Sequence, residues 1–274
     1  MIPTISFLFG LAIGSFLNVC IHRLPKGESV VAPRSHCPNC QRLIAAYDNI
    51  PLVSYLLLGG KCRYCKTRIS PLYFFIELTT GLLFLFSYSL FGWSALFAKQ
   101  AVLGSLLIVL IVTDWRERLL LDRVTFPGMV MGLLFSLVVP IGDGAGLGLA
   151  RLAGLGGLPL FAQSLLDALL GALAGGGLLY LLGEAYFRLR HREGMGLGDV
   201  KMMAMVGCFL GPKLALLTIL LGSFMGAALG LLFIWVFRKD TSYELPFGSF
   251  LGVAAFAASF WGWPVLTWYG SFFP

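Results

Sequence analysis

Long apolar runs are the feature of this sequence that most limits how it can fold. A helix needs about 20 mostly apolar residues to cross the roughly 30 Å hydrocarbon core of a bilayer. Such runs recur along the 274 residues, of which only 12% are charged, against about 25% in an average soluble domain. We therefore predict an all-α polytopic membrane protein with about eight transmembrane helices. The predicted spans cover residues 3–22, 72–92, 95–113, 124–140, 164–187, 197–212, 214–237 and 247–270.

Two of the predicted spans have ends that the flanking residues define. The first apolar run has its positive charge after it, whereas a secretory signal peptide has positive charge before its apolar stretch. We therefore expect the first run to be a retained span. The sixth and seventh spans follow each other closely, and we place the boundary between them at Gly211–Lys213.

The distribution of positive charge gives an orientation. Lys and Arg are enriched in the cytoplasmic loops of membrane proteins. If the loop after the first span is cytoplasmic, seventeen of the 20 Lys and Arg residues lie on that side, and Lys99, Arg151 and Lys213 lie outside. The net charge of +7 then reflects topology and attraction to the lipid surface, and no nucleic-acid partner is expected.

The polar segment at 23–71 divides the chain. We predict a first transmembrane helix at 1–22, a small cytoplasmic zinc-binding subdomain at 23–71, and a transmembrane domain at 72–274. A second stretch, 141–163, is rich in Gly and Leu and falls on the outer side. For that stretch a short interfacial helix, a re-entrant segment and a linker all fit the composition.

Four cysteines form two C-x-x-C pairs, Cys37/Cys40 and Cys62/Cys65. Two such pairs with a spacer of about 20 residues are typical of a four-thiolate tetrahedral zinc site. Four protein ligands leave no open coordination position, so we predict one structural zinc ion. A redox-active or disulfide role is the alternative, and the reducing cytoplasm disfavours it. Cys20 and Cys208 lie alone in apolar runs and are expected to be small buried side chains.

Two aspartates lie at span ends on the predicted cytoplasmic side. Asp114 ends the third span and Asp199 begins the sixth, so the topology brings both to one membrane face. Carboxylates at membrane depth are costly and usually functional. A close pair can share one proton, so that one member activates water while the other donates to a peptide carbonyl. Glycines before Asp199 could let an extended peptide approach, although a Gly–Asp pair is also a common helix N-cap.

Several motifs, in order along the chain, resemble a known family. They are GSFLNVCIHRLP (14–25), RSHCPNC (34–40), YDNIPLVSYLLLGGKCRYCKTRIS (47–70), YFFIEL (73–78), TDWRERLLLDRVTFP (113–127), GMGLGDVKM (194–202) and LPFGSFL (245–251). Together they resemble the type IV prepilin peptidases, which are bifunctional leader peptidases and N-methyltransferases.

This resemblance implies a membrane aspartyl peptidase with Asp114 and Asp199 as its catalytic pair, and with Gly196, Gly198 and Lys201 in the substrate or active-site loop. It implies zinc at the four cysteines. The expected substrates are prepilin and pseudopilin precursors, cut at the cytoplasmic face of the bacterial inner membrane just before their apolar helix. The family then methylates the new N-terminal amine with S-adenosylmethionine. No G-x-G-x-x-G dinucleotide-type loop follows a strand here, so the methylation activity rests on the resemblance alone.

The chain departs from the family pattern at three places. Leu72-Tyr73-Phe74 stands where the family has Arg-Tyr-Pro, and Leu120-Leu121-Asp122 stands where it has Ile-Pro-Asp. Ser249 occupies the last position of a Pro-Phe-Gly-Pro pattern.

Three other functions use some of the same residues. An aspartyl protease that cuts inside the lipid would need its carboxylates deeper than a span boundary. A transporter could use the aspartates as a proton relay. A non-catalytic assembly factor would need the zinc site and neither aspartate.

Overall fold

The computed structural model describes residues 2–154, 156–191, 195–237 and 246–272. For residues 233–237 it describes the backbone only. Over these residues the chain is helical, and its β structure is limited to two isolated bridges. The helices are α1 (Ile2–Arg23), α2 (Val53–Leu57), α3 (Pro71–Phe91), α4 (Ala95–Glu117), α5 (Asp122–Val138), α6 (Ala145–Leu152), α7 (Leu160–Ala172), α8 (Leu178–Arg190), α9 (Leu197–Leu210), α10 (Pro212–Phe237) and α11 (Phe247–Gly270). A 3₁₀ turn covers Ala46–Asn49.

The helices confirm an all-α polytopic membrane protein, but the number of spans differs from eight. Within the described ranges, six helices are long and apolar enough to cross a membrane, and one of them is the continuous α7–α8 unit, Leu160–Arg190. The predicted spans at 124–140 and 197–212 correspond to α5, with 17 residues, and α9, with 14. At 1.5 Å per residue these helices are about 26 and 21 Å long, which is less than the roughly 30 Å of hydrocarbon.

The chain divides into two compact units, Met1–Val109 and Leu110–Pro274. In the first unit, α1 and α3 pack closely because glycines face the contact. A Cβ added to Gly14 would lie 2.7 Å from the Cα atom of Glu77, and one added to Gly10 would lie 2.7 Å from the Cβ atom of Phe84. Small residues that admit close backbone approach are typical of membrane helix pairs. Glu77 itself is buried and accepts a 2.9 Å hydrogen bond from the Leu52 amide.

In the second unit, α9 is enclosed by protein. The side chains of Met202, Met203 and Phe209 have no exposed surface, and the helix packs against α5, α7, α8, α10 and α11. Gly207 makes the approach of α7 possible, because a Cβ there would collide with the backbone oxygen of Gly171. A helix buried on all sides carries apolar residues all round, which is why the sequence of α9 resembles a membrane span.

The connections around α9 follow from local sequence. Gly211 ends the helix with a φ of 82°, a conformation that favours glycine, and α10 begins at Pro212. The predicted boundary at Gly211–Lys213 is therefore confirmed. Leu173–Gly177 forms a π-helical turn that joins α7 to α8. Of the three possibilities for 141–163, the structure contains a short helix, α6, held by a 2.6 Å hydrogen bond from the Gly146 amide to Asp167.

Candidate active site and metal centre

Asp114 and Asp199 both lie at helix ends in the second unit. Asp114 is near the C-terminal end of α4, and Asp199 is in the first turn of α9. Asp114 is only 6% exposed and Asp199 only 8%. Such burial is costly for a carboxylate unless it is compensated, so each position needs a structural or chemical reason.

Gly248, at the start of α11, marks the point where the two carboxylates converge. A Cβ added to Gly248 would lie 3.0 Å from Asp199 Oδ1 and 3.1 Å from Asp114 Oδ2. Both oxygens therefore lie about 3 Å from the same point beside the Gly248 backbone. Only glycine leaves that space empty. The structure thus brings together the two aspartates that the sequence singled out, 85 residues apart along the chain.

Ser249 holds the carboxylate of Asp114. Its backbone N–H donates to Asp114 Oδ2 over 2.5 Å, and its hydroxyl oxygen lies 2.7 Å from the same atom. The hydroxyl is also 3.1 Å from the carbonyl oxygen of Ile111. Two donors on one carboxylate oxygen favour the ionised form of that carboxyl group. Among the hydrogen bonds of the described residues, the Asp199 carboxylate has no comparable pair of donors.

The glycines and lysine assigned to the loop have different surroundings. A Cβ on Gly198 would lie 2.9 Å from Leu120 Cβ, so this glycine is needed for packing. A Cβ on Gly196 would meet Asp199 Oδ2 at 3.7 Å and otherwise little, which leaves open space beside the carboxylate. Lys201 forms an ion pair with Asp122, with its Nζ atom 2.8 Å from each carboxylate oxygen. Gly194 lies outside the described residues.

The four cysteines cluster in the first unit. Their sulfur atoms all lie within 4.8 Å of one another, and Cys37 Sγ is 3.7 Å from Cys65 Sγ. Zinc–sulfur bonds of about 2.3 Å in a tetrahedron place the sulfurs about 3.8 Å apart. The cluster therefore has the size of a four-thiolate metal site, and these residues could hold one metal ion.

Two equivalent turns build the cluster. In the first, the Cys37 amide donates to the Arg42 carbonyl and the Gln41 amide donates to the Cys37 carbonyl. In the second turn, the Cys62 amide donates to the Thr67 carbonyl and the Lys66 amide donates to the Cys62 carbonyl. Gln41 and Lys66, at the same place in each turn, both have a φ near 58°. Each C-x-x-C pair is thus folded so that both of its sulfurs face the same point.

Polar contacts fasten the loop that carries the cysteines. Asn39 Nδ2 donates to Thr67 Oγ1 over 2.8 Å and so links the two turns. Arg63 binds Asp48 through both carboxylate oxygens, with a shortest contact of 2.6 Å. The hydrogen bonds from Arg63 lower the pKa of Asp48, so this ion pair persists to pH values below the usual range of an aspartate. Cys20 and Cys208 are buried, as expected.

The chain is similar to known peptidases over most of its length. A family model described as the bacterial peptidase A24 N-terminal domain matches residues 8–91, and one described as the type IV leader peptidase family matches residues 101–231. A prepilin leader peptidase/N-methyltransferase of Aeromonas hydrophila is 37% identical over 289 residues, covering 96% of this chain and 92% of the relative. The chain belongs to the type IV leader peptidase family.

Other members of the family are similar over most of their length. The relative of the same name from Pseudomonas aeruginosa is 34% identical over 280 residues, which cover 94% of this chain and 89% of the relative. One from Myxococcus xanthus is 38% identical over 226 residues, which cover 82% of this chain and 61% of the relative. No solved structure matches the chain significantly.

Sequence reasoning did not assign a role to Gly248 or Ser249. Both lie in the LPFGSFL motif that contributes to the family resemblance, and Ser249 is a departure from the family pattern. The available signal was a Gly–Ser pair at the start of an apolar helix. Nothing in that signal indicates which distant residue the pair contacts.

Proposed function

We propose that this chain is a membrane aspartyl endopeptidase that removes the short basic leader from prepilins and pseudopilins, and that it N-methylates the new N-terminal residue. The observation that carries the proposal is the convergence of two buried carboxylates, Asp114 and Asp199, beside Gly248. Aspartate pairs of this kind catalyse hydrolysis without a covalent intermediate. The position of both aspartates near helix ends favours cleavage at a membrane face over cleavage within the lipid.

The hydrogen bonds of Ser249 suggest separate roles for the two acids. Asp114, which accepts two of them, is the ionised partner and takes a proton from the attacking water. Asp199 is the protonated partner and donates to the carbonyl oxygen of the scissile peptide. The water oxygen bonds to the carbonyl carbon and gives a tetrahedral intermediate. The proton on Asp114 then passes to the leaving amine, the C–N bond breaks, and Asp199 regains a proton from the hydroxyl that becomes the new carbonyl.

The open space beside Gly196 is the proposed approach for the substrate backbone. It lies next to Asp199 Oδ2 and is free of other side chains among the described residues. Gly198 serves that approach indirectly, because its packing against Leu120 sets the start of α9. Lys201, paired with Asp122, holds α9 against the start of α5.

The proposal also covers the division of the chain into domains, the metal and the methyl donor. Residues 23–71 form the methyltransferase-associated subdomain, with one structural zinc ion held by Cys37, Cys40, Cys62 and Cys65, and residues 72–274 form the peptidase domain. S-adenosylmethionine supplies the methyl group. The excess of Lys and Arg in one set of loops supports a site and a zinc subdomain that face the cytoplasm from a bacterial inner membrane.

One experiment tests both activities. The purified protein is incubated with a prepilin whose leader is basic, with and without S-adenosylmethionine, and the products are followed by mass spectrometry. We expect release of the leader in both reactions and one additional methyl group on the mature N-terminus only with the donor. An intact precursor in both reactions would contradict the peptidase assignment, and an unmethylated product would contradict the second activity.

A further inference from the structure

The short helix α2 and the three residues before it expose a group of apolar side chains. Leu57 is 82% exposed and Leu56 is 65% exposed, and about half of the surface of Ile50 and Val53 is exposed. All four belong to residues 50–57, which we call the 50–57 segment. Single exposed apolar residues are normal on a soluble surface, whereas a cluster of them indicates contact with an apolar partner.

Contacts with α3 fix the position of this segment. The Leu52 amide donates a 2.9 Å hydrogen bond to the carboxylate of Glu77, the seventh residue of α3. The ring of Tyr55 lies 5.6 Å from the ring of Phe74, the fourth residue of α3. Later residues of the segment thus contact earlier residues of α3, so the segment runs antiparallel to the first two turns of that helix. Both elements belong to the first compact unit.

The length of α3 converts this position into a depth in the bilayer. The helix is long and apolar enough to cross a membrane, and its 21 residues extend about 32 Å, close to the roughly 30 Å of hydrocarbon. The edge of the hydrocarbon therefore lies near its first turn, where the apolar sequence begins at Leu72. Glu77 lies about 9 Å further along the helix. The 50–57 segment thus lies within the outermost 5–10 Å or so of the apolar layer, where interfacial elements bury their apolar faces.

Glu77 also explains how irregular backbone is tolerated at this depth. Leu52 precedes α2 with a φ of 60°, and its N–H is directed at the carboxylate and not at another turn of helix. Away from water an unpaired backbone N–H is costly, and non-helical backbone is found there only where protein provides its hydrogen-bond partners. The buried carboxylate of Glu77 is such a partner.

Positive charge follows the segment at the level of the lipid headgroups. The Ile69 amide donates to the Gly60 carbonyl over 2.7 Å, two residues before α3 begins. The next pair outward, Lys61 and Arg68, forms an antiparallel bridge. Both side chains are exposed, just beyond the end of α3. Basic residues at the membrane surface attract the phosphates of anionic lipids.

We propose that the 50–57 segment inserts its apolar side chains into the leaflet at the N-terminal end of α3, while Lys61 and Arg68 bind anionic headgroups at the same edge. The partner of this surface is the phospholipid bilayer. The segment thereby anchors the cysteine-bearing loop to the membrane at a fixed depth. The proposal involves neither Asp114 nor Asp199, so it does not depend on the proposed enzymatic activities.

The test is photo-crosslinking of the full-length protein in nanodiscs that contain equal amounts of phosphatidylglycerol and phosphatidylcholine. The photoreactive residue p-benzoylphenylalanine replaces Leu57 in one variant and Tyr64 in the other, and mass spectrometry identifies the adducts. Tyr64 is the matched control, because it is an exposed aromatic residue in the second cysteine turn, beyond Lys61 and Arg68. A leucine-sized side chain favours apolar surroundings over water by roughly 10- to 100-fold. We therefore expect at least about tenfold more lipid adduct at position 57 than at position 64.

Three results would overturn the insertion. They are similar lipid capture at both positions, no lipid adduct at position 57, and a predominant adduct of twice the chain mass, which would assign the apolar surface to a second copy of the chain. Because Leu57 is mostly exposed, the larger ring fits there without rearrangement of the fold.

The lipid class captured at position 57 tests the basic pair. Each basic residue at the surface favours an anionic lipid by about fivefold, so phosphatidylglycerol adducts should exceed phosphatidylcholine adducts by about that factor or more. The excess should disappear when Lys61→Gln and Arg68→Gln are combined with the label. Lys66→Gln, an exposed change in the second cysteine turn, should preserve it. Equal capture of the two lipids without these changes, or an undiminished excess in the double variant, would overturn the assignment of the headgroup contacts.

Discussion

Ser249 donates its backbone N–H, over 2.5 Å, to Oδ2 of Asp114, and its hydroxyl lies 2.7 Å from that same oxygen, although the two residues are 135 positions apart. Both groups are buried, so the hydrogen bonds form where water competes little and their effect on the carboxylate is large. The contact fixes the orientation of one member of the proposed catalytic pair and favours its ionised form.

Removing the hydroxyl should therefore alter the pH dependence of cleavage. A hydrogen bond to a charged group contributes about 1.5–3 kcal/mol, and 1.36 kcal/mol corresponds to one pH unit. In Ser249→Ala we expect the acid limb of the kcat profile to move to higher pH by about one unit, because Asp114 ionises less readily without the donor. Ser249→Thr keeps the hydroxyl and should retain the wild-type profile. An unchanged acid limb in Ser249→Ala would contradict the proposed role.

Gly248 should not tolerate a side chain. A methyl group there would lie 3.0 Å from Asp199 Oδ1, 3.1 Å from Asp114 Oδ2 and 2.8 Å from a methyl carbon of Leu120, so the carboxylates must separate. We expect Gly248→Ala to lower kcat/KM by about 100-fold or more, since small displacements at a reacting centre cost that much. Gly177→Ala is the control, because its added Cβ meets nothing within 4 Å. Equal cleavage rates for the two variants would mean that the carboxylates do not meet at Gly248.

The cysteine cluster should contain one zinc ion per chain. Metal analysis of the purified protein tests this directly, and we expect a ratio near one in wild type. Cys37→Ser and Cys62→Ser should each lose most of the metal, because a three-thiolate site is incomplete. Cys20→Ala changes a buried cysteine outside the cluster and should retain the full ratio. A metal content below one tenth per chain in wild type, after purification without chelators, would exclude a structural zinc site.

Much of the helical framework could be predicted from the sequence. The boundary at Gly211 and the long helices follow from apolar runs and their flanking residues. The sequence predicts α5 and α9 as membrane spans, and the structure shows that both are too short. The α9 helix is apolar on every side because protein surrounds it, and composition alone does not distinguish burial in protein from burial in lipid. The aspartate pair could be predicted because each residue lies at the end of an apolar run, and the predicted order of spans puts those two ends on the same side.

The detailed environment of the site could not be predicted, since it depends on contacts between distant segments. The sequence suggested that glycines before Asp199 leave room for a peptide. In the structure Gly198 instead accommodates Leu120, and the open space lies beside Gly196. A glycine needed for packing and a glycine needed for access look the same in sequence, because both only report that a Cβ is excluded.

The most direct test of the account is the cleavage rate of Asp114→Asn and Asp199→Asn with a prepilin substrate. General acid and base catalysis contributes about 10²–10⁴-fold per group, so each variant should cleave at least about 100-fold more slowly than wild type while keeping its zinc content. Glu184→Gln, the same change at an exposed ion pair on α8, should cleave at the wild-type rate. Cleavage by either aspartate variant within tenfold of wild type would contradict the assignment of Asp114 and Asp199 as the catalytic pair.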